Sequence, residues 1–316
     1  MNTLKMNAEN SDKEVFPLVS IGVLTYQHEK YIEDCLQGIL AQTYPCIELI
    51  VLDDASTDGT ADIVSSFRGK FEKKGIKFHF IRHDVNTGNV PANVNKMIHF
   101  SSGQYTMMQS GDDILLDCAI DSLVEVFETT DCSVAHANAY IIDDNYKYGE
   151  RFSKKVLLRN YYQIHKEDLF EKLLISNCIV APAAMVPKWI YDKYGLYDEN
   201  IGYEDYDFWL RLAAEKEPFV YLNQGICLYR KSETGLSNCN TKSKFVFMYN
   251  HTIKTLKKHL KKLPLDKRKK IIVYTYREWI GRARENEYLG IYFLLNLKLI
   301  QWALRNKLKK IFRDVI

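Results

Sequence analysis

The chain has 316 residues, 47% of them apolar, and a formal net charge of +3, which describes a globular protein able to bury one large core or two smaller ones. Its seven cysteines are scattered, odd in number and without a C-x-x-C pair, which argues against a disulfide or zinc framework and favours reduced thiols in the cytosol. The polar N-terminal residues predict a disordered tail over 1–17 and no signal peptide, and no apolar run approaches the roughly 18 residues of a membrane span.

Charge is distributed unevenly along the chain. Residues 251–316 hold 18 Lys and Arg against 5 Asp and Glu, a net charge of +13, whereas residues 1–250 hold 25 against 35, a net charge of −10. A basic region attached to an acidic body predicts contact with an anionic surface, either a membrane or a nucleic acid. Because no aromatic-interleaved nucleic-acid motif occurs, a membrane surface is the predicted partner and nucleic acid is not.

The first half of the chain alternates strand and helix patterns. Four apolar runs are typical of buried strands: 18–24, 47–52, 76–81 and 105–108. Helical periods lie between them, the first from Tyr31 to the Tyr44-Pro45 stop, and another helix and a strand follow at 119–127 and 133–142. This alternation predicts an α/β fold in which helices cover both faces of a mostly parallel sheet.

Three of these strands end in polar residues, namely Thr25-Tyr26, Asp53-Asp54 and the run from Ser110 to Asp113. Because ligands bind at the carboxyl ends of strands in open α/β sheets, we predict one shared site. The adjacent carboxylates of Asp112 and Asp113 favour a divalent metal carrying a phosphate, although the run also fits a solvated turn. No glycine-rich phosphate loop occurs, which argues against dehydrogenases, kinases and ATPases.

The second half of the chain contributes a second group of acids. Glu204 and Asp205 lie in the first turn of a helix predicted at 202–212, where they either cap the helix or supply a general base. A closing pair of strands is predicted at 219–222 and 226–230, and its Arg230 fits either a diphosphate grip or a surface basic cluster. The less periodic segment 143–180 is predicted to carry acceptor-binding loops.

The C-terminal residues predict three helices, at 243–261, 266–286 and 288–311, joined by lysine-rich segments. The last helix is amphipathic, with Trp302 beside an apolar stripe and lysines behind it. Such a helix either lies in a membrane interface or packs its apolar face on the body. The coincidence of the stripe with the basic excess favours the membrane surface.

The assembled motifs of residues 18–240 resemble the family 2 glycosyltransferases of bacterial cell-envelope polysaccharide synthesis, which have the GT-A fold. The most specific match is ELIVLDDASTDGT at 48–60. Other segments that resemble family motifs are VSIGVLTYQ at 19–27, LQGILAQTY at 36–44, NTGN at 86–89, SGDD at 110–113 and GYEDYDFWLRL at 202–212. The resemblance implies a GT-A domain over 18–240, followed by a basic α-helical region over 241–316.

The resemblance also implies roles for individual residues. The implied nucleotide-binding residues are Thr25, Tyr26, Asp53, Asp54, Asn89, Asp112 and Arg230. Asp112 and Asp113 would hold Mn²⁺ or Mg²⁺ on the diphosphate. Asp205, with Glu204 beside it, would be the catalytic base of an inverting single displacement, in which an acceptor hydroxyl attacks the anomeric carbon of a nucleotide-diphosphate sugar.

Two positions depart from the family pattern. Ser110 replaces the first acid of the D-x-D motif, and Ser232 and Glu233 occupy the region where a histidine is expected. The resemblance implies a UDP-sugar donor and a glycan acceptor, polyprenyl-linked, at the cytoplasmic face of the inner membrane. The alternatives are a non-catalytic scaffold with a decayed GT-A domain, which Ser110 motivates, and a sugar nucleotidyltransferase, for which a triphosphate loop is missing.

Overall fold

The computed structural model describes residues 16–148, 169–202, 204–232, 235 and 240–306. These residues form a mixed sheet of eight strands: β1 (Val19–Thr25), β2 (Ile47–Asp53), β3 (Lys77–Arg82), β4 (Tyr105–Ser110), β5 (Ile114–Leu115), β6 (Val134–Ile142), β7 (Ala184–Pro187) and β8 (Phe219–Arg230). The strand order across the sheet is β3-β2-β1-β4-β7-β6-β8-β5. The predicted tail over 1–17 lies almost wholly outside the described residues, as do 149–168 of the predicted acceptor loops.

Helices cover both faces of the sheet. In the described part of the chain they are α1 (Ile32–Leu40), α2 (Thr60–Ser66), α3 (Arg68–Lys73), α4 (Val90–Phe100), α5 (Ala119–Thr129), α6 (Leu169–Ile175), α7 (Trp189–Tyr194), α8 (Glu204–Ala214), α9 (Lys242–His259), α10 (Leu265–Glu285) and α11 (Leu289–Arg305). None of these described helices is long and apolar enough to cross a bilayer. The predicted α/β architecture with C-terminal helices is confirmed.

The sheet is parallel in its first half and mixed in its second. Strands β3, β2, β1 and β4 are parallel neighbours, as the alternation of strands and helices predicted. Strand β7 is antiparallel to both β4 and β6, and β5 is antiparallel to β8. Both short strands come from segments without a readable period, which is why the sequence did not reveal them.

The prediction of two strands, at 219–222 and 226–230, was wrong, because the structure has one continuous strand, β8. Both halves pair in parallel with β6, first through Tyr221 opposite His136 and then through Gly225 opposite Asn138. The polar residues before Gly225 are therefore accommodated in a bulge and not in a turn. A side chain at position 225 would collide with the ring of Tyr140, since an added Cβ would lie 2.3 Å from it.

The core has a separate apolar cluster on each face of the sheet. Strand β2 shows the division, because Leu49 and Val51 join one cluster while Ile50 and Leu52 join the other. Helices α1, α2, α3 and α5 pack on the first face, and α4, α6, α7 and α8 pack on the second. The second cluster also contains Leu256 of α9, so the C-terminal helices share the core of the body.

Candidate active site

The polar ends of β1, β2 and β4 lie side by side, as the sequence predicted. Thr25 stands opposite Asp53 in the sheet register, and Leu24 stands opposite Ser110. The backbone N–H of Asp54 donates to the carbonyl oxygen of Thr25 at 2.9 Å, which extends this edge by one residue. The parallel pairing therefore brings three stretches that are far apart in sequence to one edge.

Asp53 and Asp54 are buried, and protein groups already bind both of their carboxylates. Asp53 accepts hydrogen bonds from Ser56 and forms an ion pair with Arg82 at 3.3 Å. Asp54 accepts hydrogen bonds from Thr87 and Gly88 and lies 3.0 Å from the ring of His83. Burial alone would raise the pKa of Asp54, but these hydrogen bonds outweigh it and lower the pKa. Both acids therefore hold loops in place at the sheet edge.

Asn89 likewise makes contacts within the fold. Its side-chain oxygen accepts a hydrogen bond from the backbone N–H of Ala92 at 3.1 Å, which caps α4. Its side-chain nitrogen donates to the carbonyl oxygen of Glu199 at 3.2 Å. Asn89 thus connects the start of α4 to the segment that precedes α8.

Thr25 and His28 present polar atoms that lack a hydrogen-bond partner among the described residues. The hydroxyl of Thr25 and Nδ1 of His28 are buried, and each would lie 2.9 Å from a Cβ added to Gly111. Burial lowers the pKa of His28, and the nearby charge of Asp112 counteracts this only in part. Tyr26, in contrast, is exposed. Sequence reasoning missed His28, whose signal was its place in the polar run after β1.

Asp112 and Asp113 follow β4, and their environments differ. Asp112 is partly exposed and accepts a hydrogen bond from the hydroxyl of Ser110. Asp113 is buried and accepts the backbone N–H of Arg230 at 2.9 Å. Burial and the neighbouring charge of Asp112 raise the pKa of Asp113 well above its ordinary value. A cation at this pair would relieve the unfavourable charge, because an opposite charge stabilises the ionised form.

The two acids fit part of a metal site. In the described part of the chain, no group of three or more His, Cys, Asp or Glu side chains could hold a metal ion by itself. Carboxylates such as Asp112 and Asp113 are oxygen ligands that Mg²⁺ and Mn²⁺ prefer, and the substrate's phosphates and water commonly fill the remaining positions. The pair is therefore compatible with a metal that arrives together with a diphosphate.

Arg230 is buried beneath this pair and is anchored from several sides. Its guanidinium donates to the carbonyl oxygen of Asp112 at 3.0 Å and to that of Asp143 at 2.6 Å. It also lies 3.6 Å from the carboxylate of Asp34 and 4.7 Å from the centre of the Tyr31 ring. These contacts fix the turn that carries the two acids.

Helix α8 begins with the second group of acids. Asp205 accepts a hydrogen bond from the side chain of Asn177 at 2.9 Å. Burial and the neighbouring charge of Asp205 raise the pKa of the partly buried Glu204 to about 8. Asp207 points away and binds His259 at 2.7 Å and Lys258 at 2.9 Å. The cluster is thus divided between a structural acid, Asp207, and two acids near the cavity.

A cavity of about 510 Å³ brings the two groups of acids together. Its wall includes Ser110, Asp112, Asp113, Glu204, Asp205 and Arg230. The other residues predicted for the site do not line this cavity: Thr25, Tyr26, Asp53, Asp54 and Asn89. The structure therefore separates the predicted site into a cavity that holds acids and a neighbouring strand edge.

Comparisons with known proteins identify the family of the chain. The model of Glycosyl transferase family 2 matches residues 20–195, more than half of the chain. A glycosyltransferase of Methanocaldococcus jannaschii is 25% identical over 242 residues, which cover 76% of this chain and 79% of the relative. The teichuronic acid biosynthesis glycosyltransferase TuaG of Bacillus subtilis is 36% identical over 97 residues, which cover 31% of this chain and 36% of TuaG.

Two solved structures show the same fold. TarS of S. aureus, in complex with UDP-GlcNAc, has a TM-score of 0.56 and 16% identity, covering 83% of this chain and 80% of that one. The mannosyltransferase PcManGT of Pyrobaculum calidifontis, in complex with GDP-Man and Mn²⁺, has a TM-score of 0.60 and 14% identity, covering 92% and 84%. The fold is the GT-A fold that the motifs implied, and the chain belongs to glycosyl transferase family 2.

Proposed function

We propose that this chain transfers a sugar from a nucleoside-diphosphate sugar to a hydroxyl group of a glycan acceptor in cell-envelope polysaccharide synthesis. The observation that carries the proposal is that one cavity has both Asp112 and Asp113 and Glu204 and Asp205 in its wall. The UDP-GlcNAc held by TarS favours a UDP-sugar donor, and the name of TuaG favours a polysaccharide product.

The strand edge beside the cavity is the proposed nucleotide site. Thr25 and His28 lie at this edge, where their buried polar atoms have no hydrogen-bond partner among the described residues. Tyr26 would contribute its exposed ring, while Asp53 and Asp54 would act by holding the surrounding loops. Mn²⁺ or Mg²⁺ at Asp112 and Asp113 would supply positive charge to the departing nucleoside diphosphate; PcManGT, which contains Mn²⁺, supports this choice.

Asp205 is the proposed general base of an inverting displacement. Burial and the neighbouring charge of Asp205 raise the pKa of Glu204 to about 8, which favours Asp205 over Glu204 as the ionised base near neutral pH. The hydrogen bond from Asn177 orients that carboxylate. Asp205 would take the proton from the acceptor hydroxyl as its oxygen attacks the anomeric carbon from the side opposite the diphosphate.

A donor-hydrolysis assay tests the proposal. Purified protein is incubated with UDP-, GDP- and dTDP-sugars, with Mn²⁺ or EDTA, and the released nucleoside diphosphate is measured. We expect metal-dependent release from one donor. Asp113→Asn should lower it about 100-fold, because the variant would hold less well the metal ion whose positive charge stabilises the departing diphosphate. Asp117→Asn is the matched control, since Asp117 is an exposed acid outside the cavity.

Asp205→Asn tests the base separately. Transfer to an acceptor should fall by about 10²–10⁴-fold, while calorimetry should show unchanged binding of the donor. The absence of both nucleotide release and nucleotide binding would favour a non-catalytic scaffold. Release of pyrophosphate from a nucleoside triphosphate would favour a nucleotidyltransferase.

A second proposal concerns the membrane that would carry a polyprenyl-linked acceptor: we infer that α11 binds an anionic lipid surface. Leu289, Phe293, Leu297 and Leu304 recur along α11 and are 56% to 63% exposed, while its opposite face packs Leu299 and other residues inward. The net charge of +13 over 251–316 matches anionic lipid.

Vesicle sedimentation tests the membrane proposal. The protein should bind vesicles that contain phosphatidylglycerol and not vesicles of phosphatidylcholine alone, and binding should weaken with salt. The double variant Phe293→Glu and Leu297→Glu should abolish this binding, whereas Val85→Glu, an exposed apolar position on the body, should not. Equal binding to both lipids would contradict the proposal, and a dimer in light scattering would assign the stripe to a second copy.

A further inference from the structure

Helix α9 is hydrogen-bonded to the segment that precedes α8. Nδ1 of His251 accepts the backbone N–H of Gly202 at 2.7 Å, and Lys254 donates to the carbonyl oxygen of Asn200 at 2.7 Å. One helical turn further, Lys258 and His259 bind the buried carboxylate of Asp207. Because these contacts flank Glu204 and Asp205, the C-terminal helices have a fixed position relative to both acids.

The cavity extends from these acids onto α10. Its wall there is formed by Tyr274, Glu278, Trp279 and Arg282 among others. Tyr274 is 43% exposed at the surface of the protein, whereas Trp279 is buried. This end of the cavity belongs to a part of the chain that the family model, which ends at residue 195, does not cover.

The part of the cavity wall that α10 forms combines aromatic rings with an arginine whose charge a glutamate neutralises. Arg282 donates two hydrogen bonds to Glu278, at 3.1 and 3.2 Å, and its guanidinium lies 5.3 Å from the centre of the Trp279 ring. The pair keeps donor and acceptor atoms but carries no net charge. Among the described residues that line this end of the cavity the only cation is Arg282, and Glu278 pairs with it, so an anionic acceptor group would find no unpaired positive charge there.

We propose that Tyr274, Glu278 and Arg282 form the acceptor subsite and bind a neutral sugar ring of the acceptor glycan. Flat aromatic surface and a few polar groups are what small-molecule sites use to hold and orient a ligand. The Tyr274 ring supports a face of the sugar, and the Glu278–Arg282 pair binds its hydroxyl groups. This inference rests on the proposed function, since it assigns the acceptor of the same reaction.

Binding and transfer measurements with defined glycosides test the subsite. The probes are p-nitrophenyl glycosides of glucose, galactose and N-acetylglucosamine, which are neutral, and p-nitrophenyl glucuronide, which is anionic. Affinity is measured by saturation-transfer NMR titration, and the ratio of transfer to donor hydrolysis is measured with the active donor. The variants are Tyr274→Ala and Glu278→Gln, and Glu285→Gln, an exposed acid of α10 outside the cavity, is the matched control.

We expect the wild type to bind a neutral glycoside and to reject the glucuronide. Tyr274→Ala should weaken binding of the neutral glycoside about fivefold and lower the transfer-to-hydrolysis ratio by a similar factor. Glu278→Gln should release Arg282 and raise the relative affinity for the glucuronide about fivefold or more. The control should resemble the wild type in both measurements.

Three results would overturn the subsite: no binding of a neutral glycoside by the wild type, a wild-type preference for the glucuronide, or unchanged binding by both variants. Failure of the proposed function gives a different result. If the wild type does not hydrolyse any donor but binds a neutral glycoside in a manner that depends on Tyr274, the proposed reaction is rejected and the proposed sugar-binding subsite is kept. If the wild type hydrolyses a donor and both variants bind the neutral glycoside as well as the wild type does, only the subsite is rejected.

Discussion

At the start of α8, the carboxyl group of Glu204 is affected by that of the next residue, Asp205. Burial and the charge of Asp205 raise the pKa of Glu204 from an ordinary value of 4.5 to about 8. Between these two values the folded chain keeps a proton that the unfolded chain has lost. The free energy of unfolding therefore decreases as pH rises through this window. The contribution of Glu204 to stability should be lowest above pH 8.

Glu204→Gln removes this dependence, because a neutral amide replaces the carboxyl group. We expect the melting temperature to rise by on the order of 5 °C at pH 8.5 and to change little at pH 4, where Glu204 is protonated in both states. Calorimetry at the two pH values checks this, with Glu285→Gln as the control. An equal rise at both pH values would show that packing, and not ionisation, is responsible.

At the scale of elements, the contact between α8 and α9 depends on the buried carboxylate of Asp207. Burial alone would raise the pKa of Asp207, but the hydrogen bonds from His259 and Lys258 outweigh it and the pKa is lowered. An acid with a depressed pKa stabilises the fold above its ordinary pKa and ceases to do so as pH falls through its folded value. The contact should therefore stabilise the fold at neutral pH and weaken only in strong acid.

His259→Ala should lower the free energy of unfolding by about 1.5–3 kcal/mol, since it removes a buried hydrogen bond to a charged group. Lys262→Ala breaks an ion pair with Glu215 whose two side chains are 43% and 50% exposed. Solvent screens such a pair, so the expected change is about 0–1 kcal/mol. Urea unfolding at pH 7 compares the two variants, and equal effects would contradict the importance of the buried contact.

At the scale of the whole molecule, one apolar core crosses the boundary predicted at residue 240. Leu256, Leu260 and Ile271 of the C-terminal region belong to the same cluster as Leu173 and Phe208 of the body. Each such side chain contributes about 1.5–3 kcal/mol when fully buried, and domains are stable by only about 5–15 kcal/mol. The C-terminal helices should therefore be necessary for folding of the body.

A chain that ends at residue 240 should consequently lose cooperative unfolding, whereas the full chain should unfold in a single calorimetric transition. The same truncation should abolish donor hydrolysis, because α9 fixes the segment before Glu204. Two separate transitions in the full chain, or a shortened chain that melts cooperatively at the same temperature, would instead show that 18–240 and 241–316 are independent domains.

The local sequence determined most of the elements, because their periods are legible within ten or so residues. Apolar runs predicted β1, β2, β3 and β4, and the three C-terminal helices begin close to the predicted positions. The first two also end close to them, while 307–311 of the third predicted helix lie outside the described residues. The acids after β2 and β4 could be assigned to one edge, since parallel strands align their carboxyl ends. The family motifs added the GT-A fold and the role proposed for Asp205.

Tertiary structure alone decided which polar groups face the cavity. Asp54 and Asp113 look alike in the sequence, yet Asp54 is bound by a loop some thirty residues away and Asp113 lies beside the cavity. The insertion of β7 between β4 and β6, and the placement of Tyr274 in the wall of the same cavity as Asp205, have the same origin. Pairing between distant segments depends on how whole faces pack, and no local period encodes it.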